Sequence, residues 1–311
     1  MEVAAPNVLV LGAGGIVGEA WMAGLLAGLA DGSGFDPRDC EHFVGTSAGS
    51  IVAAGLAAGV DPRTRLGRLP EQPPAAAPAG ADDGSLLGAA LRFGRGAGAA
   101  AAAPLAALTL RSAAVGGAAL RRAALARVPA GRRSLTDLGR SIDELGVDWD
   151  GRLLVAAVEA ERGRRVVFGG PGESRLSPAR AVQASCAIPG VFRPVHAGGR
   201  TYVDGGVWSL TNLDVAPVER GSRVLCLNPT GSLSRAATLR GAVGPLSRSV
   251  AAVEALALQR RGAVVTTLAP DTDAAAAMGS DFMDPGHRSP AQSAGVAQGR
   301  RAAEELAVRA A

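Results

Sequence analysis

The chain has 311 residues, of which 48% are hydrophobic and only 3% aromatic, and its net charge is +4. It contains no lysine, so all 32 basic side chains are arginine, and in a chain so rich in Ala, Gly and Arg the arginine content alone indicates no function. Three cysteines without paired spacing (Cys40, Cys186 and Cys226) argue against a disulfide framework and suit a reducing compartment.

The N-terminal part predicts a layered α/β domain. Residues 7–11 form a short β-favouring run that glycines stop, and residues 19–30 have helical apolar spacing. Residues 42–44 predict a second strand and residues 48–58 a second helix. No basic segment precedes the first apolar run, so we expect a strand there and not a signal peptide.

Residues 62–133 change character. This stretch is rich in Pro, Ala, Gly and Arg, and it predicts a linker followed by irregular helices, an insertion that we expect to act as a lid over a site. The uncharged run at 96–110 is glycine-rich and interrupted by Pro104, so no transmembrane helix is predicted. We expect a cytoplasmic protein.

The insertion is also basic. Between Asp83 and Asp137 there are eight arginines and no acidic residue. We therefore expect residues 85–133 to make peripheral contact with an anionic membrane surface. Phe93 is the only aromatic residue of the insertion, and stacking of nucleic-acid bases needs more, so no nucleic-acid partner is expected.

The remainder alternates strands and helices without an internal repeat, and residues 1–311 are interpreted as one domain. Two strands within 152–170 are joined by a polar turn at 161–164. Helices are predicted at 134–146, 178–187 and 289–311, and strands at 201–203, 224–227 and 263–268.

Three glycine-marked segments follow predicted strands. The first, GAGGIVG at 12–18, combines glycines with the start of a helix, an arrangement that stabilises either a phosphate or a developing oxyanion. A dinucleotide-binding fold would use the same arrangement, with an acidic residue closing the next strand. Asp36 and Asp39 lie at nearly the right distance but precede that strand. A non-catalytic nucleotide-binding or regulatory module therefore stays open as an alternative.

The second segment is GTSAGS at 45–50, between a predicted strand and a predicted helix. Small residues two positions either side of a serine let strand and helix come into contact, and the turn then projects the hydroxyl. Gly45 and Gly49 occupy these positions around Ser47. The pattern predicts a nucleophile at Ser47.

The third segment is Asp204-Gly205-Gly206, directly after the strand predicted at 201–203. A serine nucleophile needs a base, and a carboxylate held by a tight backbone turn can serve. A histidine is the alternative, and His287 follows Asp284 in the Ser…Asp…His order of α/β-hydrolases. Such enzymes usually place several strands before the serine turn, whereas here one strand precedes it.

Four segments together resemble the patatin-like phospholipases: LGAGGIVGEAWMAGLL (11–26), GTSAGS (45–50), ASCAIPGVFRPV (184–195) and YVDGGV (202–207). The resemblance implies a three-layer α/β fold with a mainly parallel central sheet flanked by helices, interrupted here by the Ala/Arg-rich helical insertion. It implies Ser47 as nucleophile and Asp204 as base, with the N–H groups of Gly14 and Gly15 in the oxyanion hole. The motif glycines that would support these groups are Gly12, Gly18, Gly45, Gly49, Gly205 and Gly206.

The same resemblance implies a lipid acyl-ester hydrolase, of phospholipase A or lysophospholipase type or a general esterase. It would act through an acyl-serine intermediate without a metal or organic cofactor. An acyltransferase would use the same two residues. Val17 stands where the family often carries Arg or Lys, so the resemblance implies an oxyanion hole made by the backbone without a nearby cation.

Overall fold

In the computed structural model one central sheet carries helices on both faces. The structure describes residues 5–65, 117–171, 176–232 and 243–309. Most of the predicted insertion, residues 66–116, and the lid that we expected there lie outside the described residues.

The described strands are β1 (Val8–Leu11), β2 (His42–Thr46), β3 (Leu153–Glu159), β4 (Arg164–Phe168), β5 (Val195–Ala197), β6 (Arg200–Asp204), β7 (Arg223–Leu227) and β8 (Val264–Leu268). The described α-helices are α1 (Gly15–Ser33), α2 (Ala48–Ala57), α3 (Gly117–Leu125), α4 (Thr136–Asp143), α5 (Pro178–Ser185), α6 (Val243–Arg260), α7 (Thr272–Met278) and α8 (Arg288–Arg309).

The sheet is mainly parallel, as predicted. Its strand order is β5-β6-β3-β2-β1-β7-β8, with β4 also paired to β3. The successive pairs β3–β2, β2–β1, β1–β7 and β7–β8 are parallel. Strands β4, β5 and β6 join through antiparallel pairs. The antiparallel pairing of β6 with β3 determines where Asp204, the last residue of β6, lies.

Alternation of side chains along the strands builds two apolar layers. In β1, Leu9 and Leu11 belong to one cluster, while Val8 and Val10 belong to another. Residues of α1, α2, α4, α5, α7 and α8 pack in the first layer. Leu258 of α6 packs in the second. Strands buried on both faces are typical of parallel sheets covered by helices, which confirms the predicted α/β class.

Helices α1 and α8 lie in close backbone contact. A Cβ on Gly28 of α1 would lie 2.2 Å from the Val296 carbonyl oxygen, and a Cβ on Gly299 of α8 would lie 2.2 Å from the Leu25 carbonyl oxygen. Only glycine permits this approach of two helices. The contact fixes α1, whose N-terminus forms part of the candidate site.

Some predicted boundaries were wrong. Helix α1 begins at Gly15, so the glycine loop is shorter than the predicted 12–18 and its last four residues form the first helical turn. Within the insertion, where irregular helices were predicted, residues 117–125 form the regular helix α3. The strand β5 and the helices α6 and α7 were not predicted.

All three cysteines are buried and free. Within the four described ranges, we find no helix whose length and hydropathy would let it span a bilayer.

Candidate active site

The candidate site lies where β1 and β2 end side by side. The two strands pair in parallel with Leu11 opposite Gly45, so the glycine loop after β1 and the serine turn after β2 leave the sheet at the same edge. In open α/β sheets this carboxyl edge is where ligands bind. The fold therefore brings together the first two glycine-marked segments.

Ser47 occupies the tight turn between β2 and α2, with φ 53° and ψ −123°. Neither flanking glycine leaves room for a side chain. A Cβ on Gly45 would lie 2.4 Å from Ser50 Cα, and one on Gly49 would lie 1.9 Å from the Leu11 carbonyl oxygen. Strand, turn and helix are thus packed backbone against backbone. This is the geometry of a nucleophile elbow.

The positive φ of Ser47 makes a prediction about stability. A residue with a Cβ in this backbone region stores roughly 1–3 kcal/mol of strain, which glycine does not. Glycine also makes the unfolded chain more flexible, which offsets part of this gain. We therefore expect Ser47→Gly to be more stable than Ser47→Ala by about 1 kcal/mol. Urea unfolding of the two variants measures this difference. Equal stability, or a more stable alanine variant, would show that the turn is unstrained.

Asp204 reaches the elbow because two strands meet end to end beside β3. Thr46, the last residue of β2, pairs with Ala156. Asp204, the last residue of β6, pairs with the next residue, Ala157. Strand β2 is parallel to β3 and β6 is antiparallel, so the chain ends of β2 and β6 point toward each other. Ser47, which follows Thr46, consequently lies beside Asp204.

The Asp204 carboxyl is held at one oxygen and open at the other. Oδ1 accepts a 2.7 Å hydrogen bond from the Gly206 N–H. Oδ2 is buried and makes no hydrogen bond of ordinary length to another described residue. The Ser47 hydroxyl is nonetheless close enough to lower the pKa of the carboxyl. A contact of this kind commonly tightens when substrate binds.

Burial dominates the electrostatics of Asp204. Its side chain is completely buried, and desolvation raises the carboxyl pKa from 3.8 to about 7, against the lowering effects of the Gly206 N–H and the Ser47 hydroxyl. A carboxylate with a pKa near neutrality is a better general base than an exposed one. The arrangement can therefore deprotonate a neighbouring hydroxyl near pH 7.

The glycine loop has two backbone N–H groups without a described hydrogen bond at the start of α1. The N–H groups of Gly12 and Ala13 donate to the Leu227 and Leu210 carbonyls. In the described part of the chain, those of Gly14 and Gly15 make no hydrogen bond. They stand at the N-terminus of the 19-residue helix α1. Free N–H groups at a helix N-terminus stabilise negative charge, as an oxyanion hole does.

A segment far along the chain, around Phe282, packs against this loop. Gly15 has φ 59°, and a Cβ there would lie 2.4 Å from the Phe282 carbonyl oxygen. Val17 donates its N–H to that same oxygen at 3.2 Å, and its side chain is fully buried in the core. The place of the family's Arg or Lys is therefore filled by a core side chain and contributes no charge to the loop.

Ser185, at the end of α5, fixes the elbow. Its Oγ accepts a 2.9 Å hydrogen bond from the Ser47 N–H and donates a 2.6 Å hydrogen bond to the Ala156 carbonyl. The next residue, Cys186, lies 3.8 Å from Ser50 Oγ, and burial followed by the Asp204 charge raises the pKa of its thiol. Burial thus disfavours the thiolate, which is the form of cysteine that acts as a nucleophile.

His287 and His196 contact residues other than Ser47. His287 Nδ1 is 2.8 Å from the Ala277 carbonyl oxygen, and its Nε2 is 3.9 Å from Asp284 Oδ2. His196 is exposed and contacts Thr201. The structure thus places Asp204, and not a histidine, beside Ser47. Across the described ranges, no three His, Cys, Asp or Glu side chains form a group that could hold a metal ion.

An apolar cavity of about 490 Å³ lies next to this site, on the face of β6 opposite the Asp204 side chain. Leu125, Val128 and Val203 contribute to its lining. Val203 precedes Asp204, and successive side chains of a strand point to opposite faces. The cavity is therefore a neighbour of the Ser47–Asp204 pair and does not enclose it.

The chain is similar to a known protein family and to solved structures. A family model described as patatin-like phospholipase matches residues 9–217. A search of curated protein sequences found no match. The solved structures that resemble the chain include VipD from Legionella pneumophila, with a TM-score of 0.42 and 16% identity over 96% of this chain and 67% of VipD. They also include the type III effector protein ExoU, with a TM-score of 0.42 and 16% identity over 97% of this chain and 53% of ExoU.

The family match includes the glycine loop, the elbow and the Asp-Gly-Gly segment, and it spans more than half of the 311 residues. It confirms the resemblance noted in the sequence. The chain belongs to the patatin-like phospholipase family, a family of lipid hydrolases.

Proposed function

We propose that this protein hydrolyses acyl esters of lipids, as a phospholipase A, a lysophospholipase or a more general esterase, with Ser47 as nucleophile and Asp204 as base. One observation carries the proposal: Thr46 and Asp204 pair with consecutive residues of β3, which sets the Ser47 hydroxyl beside a buried carboxyl. Family membership supports lipid as the substrate class.

Acylation begins when Asp204 takes the proton of the Ser47 hydroxyl as Oγ attacks the ester carbonyl carbon. Asp204 Oδ2 is the oxygen free to receive this proton, since Oδ1 is bonded to the Gly206 N–H. The carbonyl oxygen becomes an oxyanion, which the N–H groups of Gly14 and Gly15 stabilise. The C–O bond to the leaving alcohol then breaks, and the alcohol departs with the proton from Asp204.

Deacylation repeats these steps with water. Asp204 takes a proton from a water molecule as its oxygen attacks the acyl-serine carbonyl. The bond between Ser47 Oγ and the acyl carbon then breaks, Oγ regains the proton, and the carboxylic acid leaves. An alcohol in place of water would give acyl transfer by the same residues.

The nucleotide-binding alternative finds less support in the geometry. Asp36 caps a short 3₁₀ helix and forms an ion pair with Arg38, so its carboxylate is already engaged. Asp36 and Asp39 also precede β2, whereas the glycine loop follows the end of the parallel strand β1. An acidic residue that binds a ribose should stand at the carboxyl end of the second strand.

The experiment for the proposed function uses the purified protein with phosphatidylcholine vesicles, lysophosphatidylcholine and p-nitrophenyl butyrate. We expect release of fatty acid or nitrophenol without added metal, and glycerol as a second acceptor would reveal acyl transfer. Absence of cleavage and transfer for all three esters, together with calorimetric binding of an adenine dinucleotide, would replace the proposal by the nucleotide-binding alternative.

We also propose that the basic segment around α3 contacts anionic lipid. Arg122, Arg127 and Arg132 are exposed. Helix α3 is anchored near the site, because the Arg121 guanidinium lies 3.9 Å from the centre of the Trp208 ring and its Nε donates to the Gly163 carbonyl at 2.9 Å. Exposed arginines beside a lipid-cleaving site would orient it toward the membrane.

Replacing all three exposed arginines with glutamine is expected to weaken binding to anionic vesicles by about 10²-fold at low salt, from about 1 kcal/mol for each basic residue near the surface. Vesicle co-sedimentation measures the change. The matched control removes the same charge from the exposed Arg220, Arg260 and Arg261. Equal loss in both triple variants would show that net charge, and not this segment, governs binding.

A further inference from the structure

We infer that Asn212 is a positioning residue that holds the nucleophile and the base in register. The inference rests on the proposed function of Ser47 and Asp204. Asn212 lies eight residues after the base, in a loop between β6 and β7. It is completely buried and has φ 48°, a left-handed backbone conformation that asparagine tolerates better than most residues.

The Asn212 side-chain amide touches both catalytic loops. The two Nδ2 hydrogens are shared among three acceptors: Thr46 Oγ1 at 3.0 Å, the Gly205 carbonyl at 3.3 Å and the Ser209 carbonyl at 2.7 Å. Thr46 directly precedes the nucleophile, and Gly205 directly follows the base. A single NH₂ group therefore connects the residue before one catalytic side chain to the residue after the other.

The acceptor end of the same amide is also held. Arg165 Nη1 donates to Asn212 Oδ1 at 3.3 Å. Arg165 is itself fixed by two hydrogen bonds to the Asp214 carboxylate, at 2.6 and 2.7 Å. The Asn212 backbone N–H donates to Ser209 Oγ at 3.1 Å. These bonds fix the orientation of the amide, with its NH₂ toward the catalytic loops.

A buried carboxylate organises the rest of the loop. Glu254 Oε2 accepts from Thr211 Oγ1 at 2.6 Å and from the Leu213 N–H at 2.9 Å, on either side of Asn212. Thr46 Oγ1 in turn donates to the Thr211 carbonyl at 3.4 Å. The asparagine is thus the centre of a buried polar network whose members satisfy one another.

The chemistry explains why such a connection matters. In a serine–aspartate pair the proton passes directly between two short side chains, and no imidazole spans a gap between them. An error of about 1 Å in the position of a reacting group can cost about 10²-fold in rate. A bond that ties together the two backbone segments carrying these groups should therefore act on kcat and leave ester binding unchanged.

Asn212→Gly removes the amide and keeps the backbone conformation accessible, because glycine adopts positive φ freely. We expect kcat for p-nitrophenyl butyrate to fall about 10²-fold with KM within about threefold of the wild-type value. Thr46→Val removes one acceptor of the amide and should cost about tenfold. Both changes break the bond between Asn212 and Thr46, whereas Thr46→Val also loses the 3.4 Å bond to the Thr211 carbonyl. The double variant should therefore be slower than Asn212→Gly by much less than the roughly tenfold cost of Thr46→Val alone.

The matched control is Gln298→Ala, another buried side-chain amide. Gln298 bonds to Trp21 Nε1, the Asp271 N–H and the Ala269 carbonyl, and to no residue of the elbow or the Asp204 loop. We expect this variant to lose thermal stability and retain wild-type kcat. If Asn212→Gly does not fold, Asn212→Asp, which keeps size and backbone preference but lacks the two donors, should lower kcat at least tenfold.

A folded Asn212→Gly or Asn212→Asp variant with kcat within threefold of the Gln298→Ala value would overturn the inference. So would strictly additive effects of Asn212→Gly and Thr46→Val on kcat. A wild-type protein that cleaves no ester would instead refute the proposed function. Wild-type activity is therefore measured first, and the variants are compared only if it is present.

Discussion

Replacing Ser47 with alanine, or Asp204 with asparagine, is expected to lower kcat/KM for ester hydrolysis at least about 10³-fold, the scale of loss when a nucleophile or its base is removed. Ser47→Ala removes the atom that forms the acyl-enzyme. Asp204→Asn keeps the acceptor for the Gly206 N–H but puts an amide where Oδ2 receives the proton. The two residues act as a unit, so the double variant should be no slower than the worse single one.

Initial rates on p-nitrophenyl butyrate and circular dichroism of each variant test this prediction. Ser33→Ala and Asp36→Asn are matched controls, since Ser33 lies at the far end of α1 and Asp36 precedes β2. Both controls should retain wild-type activity. A folded Ser47→Ala or Asp204→Asn variant with more than a tenth of wild-type activity would exclude that residue from the proposed mechanism.

The second large effect is a pH dependence with opposite signs for activity and stability. Burial raises the pKa of Asp204 from 3.8 to about 7. The base must be ionised to take a proton, so kcat/KM should rise as pH increases through about 7. A pH–rate profile with its inflection near the unshifted carboxyl value would show that Asp204 is not desolvated in the working enzyme.

Stability should change in the other direction. Between pH 3.8 and about 7 the unfolded chain has lost the Asp204 proton while the folded protein retains it. The unfolded state therefore binds fewer protons, and the free energy of unfolding falls as pH rises through this window. Asp204→Asn cannot ionise, so its stability relative to wild type should increase by about 3 kcal/mol between pH 5 and pH 8.

Urea unfolding of both proteins at the two pH values measures this difference. Asp36→Asn serves as a control because hydrogen bonding to Arg38 lowers the pKa of Asp36. Loss of that carboxylate should make Asp36→Asn less stable than wild type at pH 8. This is opposite in sign to the change expected for Asp204→Asn. An equal pH dependence for wild type and Asp204→Asn would contradict the assignment of a raised pKa. Ionised and buried, the proposed base Asp204 would lower the stability of the fold, as residues required for activity often do.

Much of the fold follows from local sequence signals. The short apolar runs of β1 and β7 and the apolar spacing of α1 identify these elements with errors of a few residues at their ends. The start of α1 was misjudged because four glycines at 12–18 predict a loop, whereas the helix incorporates Gly15 and Gly18. Helix α6 was missed because Val253 and Leu256 are exposed, at 69% and 46%, which obscures its amphipathic pattern.

Some residues of the candidate site can also be predicted from local sequence signals, and others cannot. Ser47 and Asp204 carry signals in the sequence, because each needs glycine neighbours for its turn. Their proximity depends on the pairing of both β2 and β6 with β3, which no local pattern contains. Ser185 and Asn212 are single polar residues whose partners lie 138 and 166 residues away. Only the fold reveals what they contact.

The most direct test of the account is labelling of the wild-type protein with a fluorophosphonate, followed by peptide mapping. This reagent phosphonylates a serine that a base has activated, and it requires no knowledge of the natural lipid. We predict one label, on Ser47, that forms faster as pH rises through about 7 and is absent from Ser47→Ala. An unlabelled wild-type protein, or a label that maps to another residue and persists in Ser47→Ala, would contradict the central claim.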